Sequence, residues 1–208
     1  MQAETEAIVC GVRGHGEHGI VVRLLTPEHG LVAAYVRGGR GRRIRPMLIP
    51  GNVVAAQLRS RTDGQLPQAT LELAHSRAPI LTEALPAAAI AWATTLVAAS
   101  LPERQPYPRL FEALGGLLDA LEAAPSASGW AAALARFELL LVSELGYGRE
   151  AADTPPQLAG GGAADWDGIL TALDLSGACL FREVLTGRTE SLHDSRSRLV
   201  DRLRRLAA

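Results

Sequence analysis

Residues 19–37, GIVVRLLTPEHGLVAAYVR, consist of two apolar runs on either side of a short turn segment. The runs are short, rich in valine and leucine and bounded by glycine, which is typical of strands. Pro27 opens the turn segment and Gly30 closes it, as the backbone angles of a tight turn favour. The stretch therefore predicts two neighbouring strands, Gly19–Thr26 and Leu31–Arg37.

Three more runs of the same kind flank this pair. Asp63-Gly64, in the connection between the last two runs, is a good hairpin signal. Five short strands at this spacing suit a small barrel or sandwich, and the five-stranded OB-fold barrel is the simplest arrangement that accounts for them. The additional predicted strands are Ala7–Val12, Val53–Arg59 and Ala69–Ala74.

After Pro79 the apolar spacing changes to a helical period. Segment 149–164 contains Pro155-Pro156 and three consecutive glycines, which predicts a loop. The fold class predicted is α+β, with an OB-fold domain over residues 1–78 and an all-α bundle over residues 79–208. The predicted helices are Ala87–Ala99, Tyr107–Ala123, Ser128–Leu145, and two more from about Asp165 to Leu185 and from about Asp194 to Leu206.

The charge of the chain is divided unevenly between these two regions. The whole chain carries 21 basic residues, all arginine, and 22 acidic ones, for a net charge of -1. Residues 1–80 have 10 arginines and 6 acidic residues, a net charge of +4, whereas residues 81–208 have a net charge of -5. This asymmetry favours a polyanion-binding surface on the first domain, although biased codon usage would also produce an arginine-only composition.

Cysteine usage and hydropathy indicate a cytoplasmic protein. Cys10 and Cys179 lie far apart and form no disulfide or metal-binding pattern, so both are predicted to be core residues in a reducing compartment. The most apolar run, Leu85–Leu101, is too short and too interrupted to span a bilayer. The acidic N-terminus lacks the features of a secretory signal. We expect no membrane partner.

The segment Gly14–Gly19 matches the Gly-x-Gly-x-x-Gly pattern of dinucleotide-binding folds. That pattern binds pyrophosphate only where a helix follows it, and here a strand follows, so it predicts a glycine-rich hairpin loop and no cofactor. His15, His18 and His29 lack the further ligands that a metal site needs. No catalytic motif is present, and no catalytic residue is predicted.

The strongest functional signal is RGGRGRRIR, residues 37–45, directly after the third predicted strand. Glycines allow the backbone to approach a phosphate chain closely, and guanidinium groups bind phosphate oxygens with two hydrogen bonds. No acidic residue occurs between Glu28 and Asp63 to neutralise the loop. The pattern favours a DNA-binding loop over a merely solvated turn. Its candidate residues are Arg37, Arg40, Arg42, Arg43 and Arg45.

The way in which this loop would bind follows from the scarcity of aromatic residues. Tyr35 is the single aromatic residue in residues 1–80. Proteins that hold single strands tightly usually stack bases on aromatic side chains as well as contacting phosphates. We therefore expect electrostatic, steeply salt-dependent binding. A protein that holds backbones and leaves base faces free would suit the pairing of complementary strands.

The last predicted helix carries a second candidate site. Leu199, Val200, Leu203 and Leu206 form an apolar face at helical spacing. A neighbouring ridge could hold an acidic, hydrophobic peptide, although a docked helix with a solvated basic flank explains the same pattern equally well. The residues of that ridge are Arg198, Arg202 and Arg205.

Several segments together resemble the bacterial RecO family of recombination mediators. The resemblance covers most of the chain, in the family's order of parts. Its elements are the Thr-x-Glu-x-Gly turn, the basic loop that follows and the Phe-Glu-x-x-x-x-x-Glu-Leu-Gly segment. They lie in Glu6–Val9, His18–Leu31, Val36–Arg40 and Phe137–Gly148.

The resemblance implies an OB-fold joined to a helical domain that acts in recombinational repair of DNA damage. Such proteins bind single- and double-stranded DNA and anneal complementary strands coated with single-stranded-DNA-binding protein. They work with RecR to load the RecA recombinase, and they are not enzymes. The runner-up interpretation is an OB-fold adaptor that binds RNA or an acidic protein without annealing activity.

The resemblance also bears on the sites. It assigns DNA binding to the basic loop, and contact with the acidic C-terminal tail of single-stranded-DNA-binding protein to the helical domain, where analogy alone selects Arg198, Arg202 and Arg205. Many members carry a zinc-binding insertion after the Glu-Leu-Gly segment. This chain has a proline- and glycine-rich stretch there and no cysteine before Cys179, so no metal site is carried over.

Overall fold

The structure is a computed structural model that describes residues 2–17, 19–62, 64–124, 126–147, 165–187 and 189–208. The chain forms two compact units, one made of residues 1–83 with 94–112 and the other of residues 84–93 with 113–208. The first unit contains the strands, and the second consists of helices. The predicted loop 149–164 lies outside the described residues.

Five strands in the first unit close into a barrel in the order β1-β2-β3-β5-β4. Neighbouring strands pair antiparallel, except that β3 and β5 are parallel. The predicted five-stranded OB-fold followed by helices is confirmed. The strands are β1 (Gln2–His15), β2 (Gly19–Thr26), β3 (Gly30–Val36), β4 (Val53–Arg59) and β5 (Gln68–His75).

Strand β1 allows the barrel to close because it pairs with two neighbours in succession. Its first half, residues 2–8, pairs with β4, and its second half, residues 8–15, pairs with β2. The register shifts between Val9 and Gly11, where a bulge increases the bend of the strand. The strand is longer than the predicted Ala7–Val12 because its polar ends are held by backbone pairing, which hydrophobic patterning does not reveal.

Alternate residues of the five strands fill the barrel and form one apolar cluster. Cys10 is buried beside it, and burial raises the pKa of its thiol to about 12, so the thiol stays protonated at neutral pH. Cys179 is buried in the helical unit. Both cysteines are free, and their burial confirms the prediction that they are core residues.

The turn between β2 and β3 is held by its first residue. The buried Thr26 hydroxyl donates a hydrogen bond to the Gly30 carbonyl at 3.1 Å and accepts one from the His29 backbone N–H at 3.1 Å. Gly30 has a φ of +66°, and a Cβ there would overlap the backbone of Gln105. The predicted turn is confirmed. Only glycine fits its last position, because the residue there must adopt a positive φ and must have no Cβ.

The helices lie close to their predicted positions, but the last one begins five residues earlier than predicted. The Asp165 carboxylate caps the fourth helix by accepting a hydrogen bond from the Gly168 backbone N–H at 2.8 Å. Among the described residues, no helix is long and apolar enough to cross a membrane. The helices are α1 (Ala84–Ser100), α2 (Pro108–Ala123), α3 (Ala127–Glu144), α4 (Trp166–Cys179), which continues as a π-helical turn Leu180–Val184, and α5 (Thr189–Ala207).

Candidate nucleic-acid interface

The arginine-rich segment between β3 and β4 folds into consecutive turns. Gly38 has a φ of +67°, and its carbonyl accepts a hydrogen bond from the Gly41 backbone N–H at 2.8 Å. The Gly41 carbonyl accepts in turn from the backbone N–H of Arg45 at 3.0 Å, at the start of a 3₁₀ turn, Arg45–Leu48. The glycines therefore give the loop a defined backbone.

Apolar and amide side chains fix this loop to the end of the barrel. Leu48 belongs to the barrel core, and Ile44 and Met47 pack against it. The buried Asn52 side chain donates a hydrogen bond to the Pro46 carbonyl at 2.9 Å and accepts one from the Arg77 backbone N–H at 2.8 Å. Sequence reasoning missed Asn52, because nothing in its neighbourhood indicates a buried amide.

All five predicted DNA-binding arginines belong to this anchored loop and are exposed: Arg37, Arg40, Arg42, Arg43 and Arg45. Arg40 donates a hydrogen bond to the Gly16 carbonyl at 3.2 Å and lies so close to Gly14 that a Cβ there would be 2.9 Å from its Nη2. Within the described part of the chain, the other four side chains form no hydrogen bond or ion pair. Their guanidinium groups are free to bind a ligand, and their role in DNA binding stays a prediction.

The Gly-x-Gly-x-x-Gly segment forms the predicted hairpin loop, since β1 ends at His15 and pairs there with Gly19, the first residue of β2. A Cβ at Gly19 would overlap the Tyr35 ring, and the His15 ring meets the same ring edge-on with centroids 5.9 Å apart. Tyr35 is thus held against the hairpin. Of the three histidines considered as ligands, His18 lies outside the described residues.

Helix α5 places the three arginines of the second candidate site in different environments. Arg198 and Arg205 are exposed, whereas Arg202 is half-buried and donates a hydrogen bond to the Ala84 carbonyl at 3.1 Å. Three residues of the predicted apolar face, Leu199, Val200 and Leu203, are buried, as a docked helix requires. Leu206 is 57% exposed, because it lies in the last turn of the helix, beyond the buried part of that face.

A buried ion pair in the helical unit escaped the sequence prediction. Arg196, on α5, donates hydrogen bonds to both carboxylate oxygens of Glu138, on α3, from Nε at 3.0 Å and from Nη2 at 2.7 Å. The indole N–H of Trp92 and the hydroxyl of Ser176 also donate to this carboxylate. Glu138 lies four residues after the buried Leu134 on α3, and Arg196 lies four residues before the buried Val200 on α5. This spacing places both charged residues on the buried faces of their helices, and it is the sequence pattern that could have predicted the pair.

This geometry defines the class of protein as an OB-fold barrel with an anchored, arginine-rich loop, followed by a helical unit. Comparison with known families is more specific. The family model described as Recombination protein O N terminal matches residues 1–77, and Recombination protein O C terminal matches residues 84–153. The chain belongs to the RecO family of DNA repair proteins.

Relatives named DNA repair protein RecO support this assignment. The chain is 33% identical to the protein from Rhodospirillum centenum, over 99% of the chain and 96% of that relative. It is 40% identical to the protein from Caulobacter vibrioides and 43% identical to that from Xanthobacter autotrophicus. These two matches cover 71% and 72% of the chain, but only 60% and 61% of the relatives' lengths.

Proposed function

We propose that this protein is a DNA-binding recombination mediator of the cytoplasm, associated with the nucleoid. It binds single- and double-stranded DNA, anneals complementary strands and, with RecR, helps load the RecA recombinase on single-stranded DNA coated with its binding protein. It acts in recombinational repair by binding and positioning DNA, not as an enzyme. Family membership supports the process, and the barrel loop supports the mode of binding.

The observation that carries this proposal is the state of the loop arginines. Arg37, Arg42, Arg43 and Arg45 are exposed, and their side chains have no hydrogen-bonding partner among the described residues. Their backbone is fixed by the turns and by the Asn52 side chain. Because the loop does not have to be ordered on binding, its arginines bind phosphates without a loss of backbone conformational entropy.

The rest of the barrel supports annealing in preference to tight storage of a single strand. Its one aromatic side chain, Tyr35, lies against the Gly14–Gly19 hairpin instead of standing free as a stacking platform. The affinity therefore comes from phosphate contacts, which leave the Watson–Crick edges of the bases open for pairing.

Replacing Arg37, Arg40, Arg42, Arg43 and Arg45 with alanine tests the loop. Because each phosphate contact releases about one counterion, the slope of log K against log salt for an oligonucleotide should become shallower by about 4. Annealing of complementary oligonucleotides coated with single-stranded-DNA-binding protein should be lost. The matched control, Arg198→Ala with Arg205→Ala, removes exposed arginines from the helical unit and should leave the affinity for the bare oligonucleotide and its salt slope unchanged.

Two results would contradict the proposal. An unchanged slope and affinity in the loop variant would make the loop a solvated turn. Failure of the unmodified protein to accelerate annealing at low salt would remove the mediator function. The adaptor for RNA or an acidic protein would then remain, and binding of single-stranded RNA or an acidic peptide by the same loop would identify it.

The proposed contact with single-stranded-DNA-binding protein involves Arg198, Arg202 and Arg205 on α5, as a site for that protein's acidic C-terminal tail. Arg198→Glu with Arg205→Glu tests it and spares Arg202, which donates to the Ala84 carbonyl. Fluorescence anisotropy should show loss of binding of the tail peptide and unchanged binding of DNA. Unaltered peptide affinity would place the tail site elsewhere in the helical unit.

A further inference from the structure

The arginines of the barrel loop divide into two sets that line separate grooves. The first, which we call the hairpin groove, has a volume of about 880 Å³ and lies between the loop and the ends of β1 and β2. Its apolar floor includes Val12 and Ile20, and no acidic residue belongs to its described lining. Its arginines are Arg40, Arg42 and Arg45.

The second, which we call the seam groove, lies between the loop, the end of β3 and strand β5. Strands β3 and β5 pair at one position only, Tyr35 with Gln68, and a groove of about 480 Å³ opens beyond that pair. Arg37 and Arg43 line it, together with one acidic residue among those described, Glu72. Among the described residues, none lines both this groove and the hairpin groove.

The seam groove extends past Gln68 into an adjoining basic hollow. Gln68 lines both the seam groove and a hollow of about 430 Å³ that also contains Arg59 and Arg61. Arg59 is paired with Gln68 in the ladder between β4 and β5, which fixes the two side chains at the same level of the barrel. A path of four arginines, Arg37, Arg43, Arg59 and Arg61, therefore follows this side of the barrel.

The sorting of the arginines follows from the backbone of the loop. The loop contains a turn that starts at Gly38, which has a φ of +67°, and it ends in the 3₁₀ turn Arg45–Leu48. Ile44, which lies between Arg43 and Arg45 in the sequence, packs against the barrel core and fixes the loop in place. Because Ile44 and Met47 anchor the loop, its backbone is held in place beside both grooves.

Both grooves fit the same chemical class of ligand, which is a single-stranded nucleic acid. Guanidinium groups at a groove edge bind phosphates, while an apolar floor accepts sugars and the apolar faces of unpaired bases and leaves their Watson–Crick edges open. The bases of a duplex are stacked inside the helix and do not reach such a floor. The absence of acidic residues from the described lining of the hairpin groove further favours an anionic ligand.

We propose that the two grooves each bind one single strand of DNA, so that one protomer holds two strands on opposite sides of the same loop. This inference rests on the proposed function and deepens it, because it adds Arg59 and Arg61 to the DNA-binding residues and assigns the loop arginines to different strands. Two strands held on one loop meet at a high effective concentration, and that accelerates their pairing.

Two triple variants with equal loss of charge test this assignment. One replaces Arg40, Arg42 and Arg45 with alanine, and the other replaces Arg37, Arg43 and Arg59. Binding of a labelled oligothymidylate of about 15 nucleotides is titrated at low salt and at protein concentrations well above the dissociation constant. We expect two strands per protomer in the unmodified protein and one in each triple variant.

A proximity measurement completes the test. Two non-complementary oligonucleotides with donor and acceptor dyes should give energy transfer on the unmodified protein and none on either triple variant. Each variant should anneal complementary strands more than tenfold more slowly while still binding one of them. Melting temperatures establish that the variants are folded, and sedimentation gives the number of protomers in each complex.

The outcomes separate this inference from the proposed function. One strand per protomer in the unmodified protein, with both triple variants weakening that single binding event, would overturn the two-groove assignment and leave the loop as one DNA-binding site. Retention of two strands by either variant would also overturn it. Absence of any DNA binding by the unmodified protein would instead overturn the proposed function itself.

Discussion

The loop arginines of the barrel and Arg196 of the helical unit have the same side chain in opposite environments. Four loop arginines are exposed and lack a partner among the described residues, whereas Arg196 is 7% exposed and donates hydrogen bonds to Glu138, Ser176 and the Leu173 carbonyl. A hydrated guanidinium can exchange water for a phosphate at small cost. A buried one has already exchanged its water for fixed partners, and it holds helices together.

The number of arginines in a region does not by itself locate a functional surface. The net charge of residues 81–208 includes Arg196, which is neutralised internally by Glu138. The net charge of residues 1–80 includes loop arginines that nothing within the described chain neutralises. The binding surface is therefore identified by arginine side chains that have no partner among the described residues and that lie on a fixed backbone.

The largest effect is expected at the buried pair. Arg196→Met leaves the Glu138 carboxylate buried without its cationic partner, which should lower the free energy of unfolding by about 3 to 5 kcal/mol. Urea unfolding followed by circular dichroism measures it. Arg198→Met, two residues along the same helix and exposed, is the control and should change stability by less than about 0.5 kcal/mol. Equal losses of unfolding free energy in the two variants would contradict the expectation that the buried ion pair makes Arg196 more important for stability than the exposed Arg198.

A lysine replacement in each region would sharpen the comparison. Arg196→Lys loses the two-pronged contact with Glu138, so the free energy of unfolding should fall by about 1 to 3 kcal/mol. Replacing Arg37, Arg42, Arg43 and Arg45 with lysine keeps the charge, so the salt slope of DNA binding should stay the same and the affinity should change by less than about fivefold. A large loss of affinity would show that the loop needs guanidinium geometry as well as charge.

The smallest effect is expected at Arg40, which shares features of both groups because it is exposed and yet bonded to the Gly16 carbonyl. Arg40→Ala should lower the free energy of unfolding by about 0.5 to 1 kcal/mol and make the salt slope shallower by about 1. Arg42→Ala, which breaks no hydrogen bond to the described residues, should change the slope by the same amount and leave stability unchanged. If the Arg40→Ala and Arg42→Ala variants are equally stable, the hydrogen bond from Arg40 to the Gly16 carbonyl does not contribute to stability.

Local patterns were enough for much of the fold. The strands, the Thr26–Gly30 turn and the Gly14–Gly19 hairpin were predicted because alternation, proline and glycine act over a few residues. The positions of the helices followed from apolar spacing in the same way. The missed features, such as the two-sided pairing of β1, the Asn52 anchor and the Glu138–Arg196 pair, join residues that are distant in the sequence.

The position of an arginine-rich loop after the third strand and the positive charge of residues 1–80 can both be read directly from the amino-acid sequence. The division of the loop arginines between two grooves and the burial of Arg196 are properties of the folded chain. The physical reason is that the side of the loop on which a side chain lies depends on the turns at Gly38 and Gly41 and on the packing of Ile44. Whether an arginine can bind a ligand likewise depends on whether the fold places a distant acidic residue beside it, as it places Glu138 beside Arg196.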